Sequence, residues 1–102
     1  MINVIHSTAK INKSIDGLLI LEEVSIVSEF NYYGFHFFID YRDSHGGFIV
    51  SEYKTGFRLP IPAQDNKELA KKESISCLRK YGKEKTIKVI NKVLNDVGVI
   101  NI

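Results

Sequence analysis

The chain has 102 residues, of which 44% are hydrophobic, with a formal net charge of +2 and one cysteine. This size suits a single domain over residues 1–102, and the hydrophobic content is too high for a disordered chain. One cysteine excludes an internal disulfide and a cysteine-based zinc cluster. No apolar run approaches the roughly 20 residues that cross a bilayer, so we expect a cytoplasmic protein with no membrane partner.

The N-terminal residues give two alternatives. Residues 2–6, with the sequence INVIH, predict a strand. Residues 8–15 fit either a short helix that ends at Gly17 or a strand that pairs with residues 18–28. Both alternatives stay open at this point.

Residues 18–30, LLILEEVSIVSEF, predict one long strand. Apolar residues fill most even positions, as in a strand with one buried face, and Leu19, Leu21 and Val27 are the exceptions. Residues 31–34, NYYG, predict a type I turn, because Asn favours its first position and Gly its fourth.

Residues 35–42 predict a strand with strict alternation. One face is expected in the core and carries Phe35, Phe37, Ile39 and Tyr41. The other face is expected to be exposed and carries His36, Phe38, Asp40 and Arg42. Strands over residues 47–53 and 57–61 follow. The last should lie at an edge, because Pro60 and Pro62 cannot donate to a ladder.

Two helices are predicted over residues 66–81 and 84–97. Asp65 is the expected N-cap, with Glu68 completing a variant of the capping box. The side of the first helix that faces the sheet is expected to carry Ala70, Ser74, Cys77, Leu78 and Tyr81. The fold class is then α+β, an antiparallel β-meander of four to five strands packed against two C-terminal helices in two layers.

The residues that could carry chemistry form no catalytic pattern. His6, His36 and His45 match no metal-ligand spacing. Cys77 lies on the predicted buried face of its helix, where a thiol is inert packing. The sequence therefore predicts a protein that is not an enzyme and that holds no metal and no cofactor.

Charge is unevenly distributed along the chain. Residues 1–64 carry five Lys/Arg and seven Asp/Glu, whereas residues 65–102 carry nine and five. The basic helices are either a solvated surface or a footprint for an anionic partner. The candidate residues for nucleic-acid binding are Lys71, Lys72, Arg79, Lys80 and Lys83.

The segment over residues 50–82 is similar to a pattern in small, mostly uncharacterised phage and prophage proteins of AT-rich Gram-positive bacteria. The matching residues are Ser51, Glu52, Thr55, Gly56, Lys67, Glu68 and Ala70. The resemblance implies an accessory protein of a mobile element, located in the host cytoplasm. Such proteins often bind and block a host protein, including defence nucleases, as anti-CRISPR proteins do.

Two further resemblances point to nucleic acid. The stretch QDNKELA resembles the start of the helix in HicB-like antitoxins, which share a β-β-β-α unit. The same order of elements, with Lys71 and Lys72 at the helix start, is similar to double-stranded RNA-binding domains. These resemblances imply, as the alternative function, a nucleic-acid-binding regulator or antitoxin.

The leading prediction is a small protein that inhibits or modulates a host protein by steric occlusion. Aromatic anchors and Arg carry much of the binding energy at protein interfaces. The expected partner-binding residues are Tyr32, Tyr33, Phe38, Tyr53 and Arg58. An edge strand or the apolar tail would support a homodimer, and neither a monomer nor a homodimer is excluded.

Overall fold

The computed structural model describes residues 8–102, so the predicted strand over residues 2–6 lies outside the described residues, as does His6. Within the described range the elements are β1 (Thr8–Ile15), β2 (Leu18–Ser25), β3 (Ser28–Tyr32), β4 (Phe35–Arg42), β5 (Gly47–Glu52), α1 (Lys67–Tyr81) and α2 (Lys83–Val97). The fold class is α+β, as predicted, with antiparallel strands followed by two helices.

The strands form two antiparallel sheets, β1-β2 and β3-β4-β5. In the first sheet Ile15 lies opposite Leu18, so Asp16 and Gly17 are the two turn residues. Both have positive φ, which suits the type I′ turn that this hairpin length favours. Of the two alternatives for residues 8–15, the strand that pairs with the next segment is the one observed.

The prediction of one strand over residues 18–30 is wrong. The strand is interrupted at Ile26 and Val27, where the Val27 N–H donates to the Ile39 carbonyl at 2.8 Å. The interruption has a topological reason, because the first half pairs with β1 and the second half pairs with β4. One straight strand could not join both sheets.

The turn between β3 and β4 also differs from the prediction. Tyr32 pairs with Phe35, and the two central residues, Tyr33 and Gly34, have φ of 54° and 81°. These values belong to type I′ and not to the predicted type I. Type I′ matches the right-handed twist of the two flanking strands, and here Tyr33 accepts the left-handed backbone that this requires.

Residues 57–61 do not form the predicted strand. Residues 57–64 instead run beside β5 with two isolated bridges, Arg58 with Ser51 and Gln64 with Phe48. Pro60 and Pro62 lie between these bridges and remove two donors from the ladder. The segment still covers the outer edge of β5. A Cβ on Gly47 would lie 2.5 Å from the Gln64 carbonyl oxygen, so this close approach needs glycine.

The helices lie within one residue of their predicted bounds. The N-cap of α1 is Asn66 and not the predicted Asp65, because the Asn66 side-chain oxygen accepts the Leu69 N–H at 2.7 Å. The buried side of α1 also differs from the prediction. It follows the i, i+4, i+8 line of Ala70, Ser74 and Leu78, whereas Cys77 is half-buried and Tyr81 is exposed.

The β3-β4-β5 sheet is covered on both faces, which makes three layers where two were predicted. The helices cover one face, and the core there contains Phe30, Phe37, Ile39, Val50, Ala70, Leu78 and Ile90. The β1-β2 hairpin covers the other face, with a second core of Ala9, Ile11, Phe38 and Tyr53. The third layer therefore buries the strand face that the sequence predicts to be exposed.

Candidate interaction surface

Two of the five predicted partner-binding residues are buried. Phe38 has 0% of its side chain exposed, and Tyr53 packs against it with ring centroids 6.1 Å apart. Their prediction as exposed anchors is wrong, because the base of the β1-β2 hairpin lies over this face of β4. Neither ring can contact a partner in the folded protein.

Tyr32 and Tyr33 are half-buried against α1. Their ring centroids lie 4.5 Å apart, and the Tyr33 hydroxyl donates to the Leu78 carbonyl at 3.3 Å. Arg79 Nε donates to the Tyr32 hydroxyl, also at 3.3 Å. These rings fix the β3-β4 turn on the helix. The fifth predicted residue, Arg58, is exposed and donates to the Ile61 carbonyl at 3.0 Å.

A charged pair lies between the hairpin and the central sheet. Arg42 donates to both carboxylate oxygens of Asp40, at 2.8 Å and 3.1 Å, and also reaches the Ser51 hydroxyl at 3.4 Å. Asp40 is fully buried, although the sequence predicts it on an exposed face. A bidentate partner is what makes a buried carboxylate tolerable, so this pair is structural.

The two histidines within the described range occupy separate places. His36 Nε2 lies 2.5 Å from Glu29 Oε1, and its ring stacks on Tyr53 at 4.7 Å. His45 is exposed and contacts Ser44. Among residues 8–102, no group of three or more His, Cys, Asp or Glu side chains is placed to hold a metal ion.

Cys77 borders a small apolar cavity. The cavity has a volume of about 130 Å³ and lies between α1, α2 and the segment that follows β5. Aliphatic and aromatic side chains supply most of its walls, among them Phe57, Leu59, Val89 and Ile90. Such a lining can accept an apolar group.

Four of the five predicted nucleic-acid-binding residues share one surface. Lys71, Lys72, Arg79 and Lys80 lie on one side of α1, together with Glu68, Ile75 and Ser76. The Lys71 ammonium lies 5.8 Å from the centre of the Phe30 ring. Lys83 is exposed at the start of α2 and is not part of this group. We call the four residues the basic face.

We call the β1-β2 hairpin the arm, and its far end carries the longest run of exposed large hydrophobic residues within residues 8–102. Its tip, residues 18–21, consists of four consecutive apolar residues with exposures between 39% and 67%. In a strand, Leu18 and Ile20 point to one side and Leu19 and Leu21 to the other. Both sides of the arm tip are therefore apolar and open to solvent, which is typical of an interaction site.

The two edges of the arm differ. The edge of β1 is occupied, because the Asn12 N–H donates to the Gly56 carbonyl at 3.0 Å. The Asn101 side chain accepts from the Lys10 N–H and donates to the Lys10 carbonyl, both at 2.8 Å. The edge of β2 has no backbone partner among residues 8–102. An apolar strand with an open edge is a template for a further strand.

Charged residues begin where the apolar tip ends. Lys13 Nζ donates to Glu22 Oε2 at 2.6 Å, and Glu23 lies opposite Lys10 in the hairpin. The hydrogen bond and the positive charge of Lys13 lower the pKa of Glu22 below its usual value. Asp16 in the turn is also charged, so the apolar residues 18–21 lie between charged residues at both ends of the run.

The arm was not among the predicted sites, although the sequence contained its signal. Leu19 and Leu21 break the period-two pattern of residues 18–30. An apolar residue on the polar side of a strand indicates either burial on both sides or an exposed patch. Only the position of the strand beyond the central sheet shows which applies.

Comparison with known proteins finds no relative of this chain. No protein-family model, curated protein or solved structure matches this chain. Neither α1 nor α2 is long and apolar enough to cross a membrane, and no other helix of that kind occurs within residues 8–102.

Proposed function

We propose that the protein binds a host protein through the arm and inhibits or modulates it by covering a functional surface. The resemblance of residues 50–82 to phage accessory proteins suggests a defence nuclease, as for an anti-CRISPR protein. The observation that carries the proposal is the arm tip, where four consecutive apolar side chains stand beside a strand edge that no other strand within residues 8–102 covers. This surface replaces the buried Phe38 and Tyr53 as the contact site.

The arm suits occlusion because it offers two kinds of contact. Its open edge can add to a sheet of the partner, with main-chain hydrogen bonds along β2. Its apolar side chains can then enter pockets on either side of that sheet. Full burial of one leucine contributes about 1.5–3 kcal/mol, so burial of Leu19 and Leu21 against a partner would favour binding.

A capture experiment tests this proposal. Tagged protein and a Leu19→Lys/Leu21→Lys variant are incubated with lysate of the host, and captured proteins are identified by mass spectrometry. We expect a partner that the native protein captures and the arm variant loses. Its binding is then measured with purified components, and its activity is assayed with and without the protein.

A matched control separates the arm from general surface apolarity. Val99 is exposed to a similar degree beyond the end of α2, so Val99→Lys adds a charge at an apolar surface position elsewhere. This variant should retain the partner. Equal capture by the native protein and the arm variant would contradict the arm as the contact site.

Nucleic-acid binding is the second candidate function, and the grouping of four cationic side chains on one side of α1 favours it. Such a group of Lys and Arg can contact the phosphates of a nucleic-acid backbone. Retention of duplex RNA or DNA in a gel at low salt tests it. We expect Lys72→Ala/Lys80→Ala to weaken retention and to reduce the salt dependence, because fewer counterions are released. Lys92→Ala on α2 is the control, and no shift at low salt would exclude this function.

A further inference from the structure

We propose that the open edge of β2 pairs with β2 of a second copy of this chain. The two arms would form one antiparallel four-stranded sheet, in the order β1-β2-β2-β1, with a two-fold axis beside Ile20. The dimer would use the same arm that the proposed function assigns to host binding. It would cover the arm tip until a host partner competes for it, and this regulatory role rests on the proposed function.

The backbone of β2 is oriented for this pairing. Ile15 and Leu18 flank the two-residue turn, so they form a hydrogen-bonded pair, and bonded positions alternate from there. The main-chain groups of Leu18, Ile20 and Glu22 then point to β1. Those of Leu19, Leu21 and Glu23 point away from it, toward the open edge.

The opposite edge of the arm provides an independent check of this alternation. By the same rule, the main-chain groups of Lys10 and Asn12 point away from β2. They are the ones that bond to Asn101 and Gly56. The alternation is therefore correct along the paired part of the hairpin, and three residues of β2 offer their backbone groups to an incoming strand.

The arm also needs a further strand for physical reasons. An isolated two-stranded hairpin is at best marginally stable in water, whereas three or more strands with a covered apolar surface are stable. The base of the arm is covered by the second core at Ala9 and Ile11. The tip extends past this support, since Leu18 is 67% exposed. A second arm would supply the missing strands and cover the same apolar side chains.

The incoming strand must itself be apolar on both faces, and β2 meets that condition. Two-fold pairing with the axis beside Ile20 places Ile20 opposite Ile20 and Leu19 opposite Leu21 of the second copy. Glu22 then lies opposite Leu18 of the second copy. Three apolar cross-strand pairs result, each of the kind that stabilises a sheet.

The positions of the charged residues favour this register over the two registers in which the axis is shifted by one residue. An axis beside Leu21 would also give three apolar pairs, Leu21 with Leu21 and Leu18 with Val24 twice, but it would set both glutamates opposite apolar residues. An axis beside Leu19 would set Glu22 opposite Asp16, and like charges facing each other destabilise a sheet. The axis beside Ile20 keeps three apolar pairs, sets only one of the two glutamates opposite an apolar residue, and brings no two carboxylates face to face.

The assembly is limited to a dimer because the edge of β1 is already occupied. Gly56 and Asn101 cover β1, so a third copy cannot add there, and the isologous contact closes on itself. The contact is small beside the roughly 800 Å² per partner of a standard interface. We therefore expect a weak dimer whose population rises with protein concentration, which is the property that lets another partner compete.

Disulfide trapping tests the register. In the proposed pairing Ile20 faces its own copy in a non-hydrogen-bonded pair, with Cα atoms about 4.5 Å apart, within disulfide range. Ile20→Cys in a Cys77→Ser background should form a covalent dimer under mild oxidation. The control is Leu18→Cys in the same background, which is more exposed but faces Glu22 and should stay largely monomeric.

Sedimentation of the purified protein over a concentration series tests the dimer itself. The native chain should shift from monomer to dimer, and Leu19→Lys/Leu21→Lys should remain monomeric with an unchanged circular dichroism spectrum. A native chain that stays monomeric throughout overturns the proposal, as does cross-linking of Leu18→Cys as readily as Ile20→Cys.

The outcomes separate this inference from the proposed function. Host-protein capture by a chain that is monomeric at every concentration refutes the dimer alone. A dimer without any captured host protein refutes the host-binding function alone. If both are correct, the oxidised Ile20→Cys dimer loses the host protein and regains it after reduction.

Discussion

The strands β2 and β4 have the same length, and both are rich in apolar residues, yet their surroundings are opposite. β4 lies between two strands and between two layers, and even its Asp40 is fully buried. Within residues 8–102, β2 has one neighbour strand, and all four residues of its tip are exposed. The comparison teaches that apolar content and alternation predict a strand without predicting which of its faces are covered.

The difference also separates stability from binding. Residues of β4 pack against the helices on one side and the hairpin on the other, so their substitution should cost folding free energy. Residues of the arm tip pack against little, so their substitution should cost association and leave folding nearly unchanged. Four predictions test this contrast.

The largest effect is expected for Phe38→Ala, which removes a fully buried ring from the second core. The free energy of unfolding should fall by about 3–5 kcal/mol, as for other buried phenylalanines. Denaturant titration measures it, with Leu21→Ala as the exposed control, expected within about 0.5 kcal/mol of the native value. A similar small loss for both variants would mean that the hairpin does not cover β4.

Breaking the buried ion pair should have the next largest effect. Asp40→Leu leaves the Arg42 guanidinium without its partner and should cost about 3 kcal/mol. The double variant Asp40→Leu/Arg42→Met removes both charges and should recover most of that loss. If the double variant is as unstable as the single one, the pair contributes by attraction and not merely by avoiding an unpaired charge. Thermal or denaturant unfolding distinguishes these results.

Substitution of the arm tip should change association with little change in stability. Leu19→Lys/Leu21→Lys is expected to unfold within about 0.5 kcal/mol of the native protein, because both side chains are already exposed. The same variant should lose the concentration-dependent dimer. A large loss of stability in the monomer would show that the tip packs against the body, which would remove the contrast with β4.

The smallest effect concerns pH. The lowered pKa of Glu22 means that its bond to Lys13 stabilises the folded arm above the unfolded pKa, near 4.5, and that this contribution is lost as pH falls through the lower folded value. The pair is exposed, so its effect on unfolding should be slight. Carboxyl titration by NMR should show the pKa of Glu22 rising toward its usual value in Lys13→Met. An unchanged pKa would contradict the ion pair.

Local signals in the sequence determined the elements that depend on short-range physics. Helical periodicity and glycine stops placed both helices within one residue, because a helix is closed by hydrogen bonds among near neighbours. Alternation placed β4, and Pro60 with Pro62 marked the segment that covers an edge. The basic face also followed from sequence, because charged side chains on a short helix share a surface by spacing alone.

The tertiary structure alone decided what is covered. Alternation assigned Phe38 and Asp40 to one face of β4, but only the fold shows that the hairpin buries that face and that Arg42 compensates the carboxylate. A similar apolar pattern predicted a strand at β2, but the tip of β2 extends beyond the layers that bury β4. Burial depends on contacts between residues far apart in the chain, and no local pattern contains them. For that reason two of the predicted anchors, Phe38 and Tyr53, lie in the core, and residues 18–21, predicted to be an ordinary strand, are the candidate interaction site.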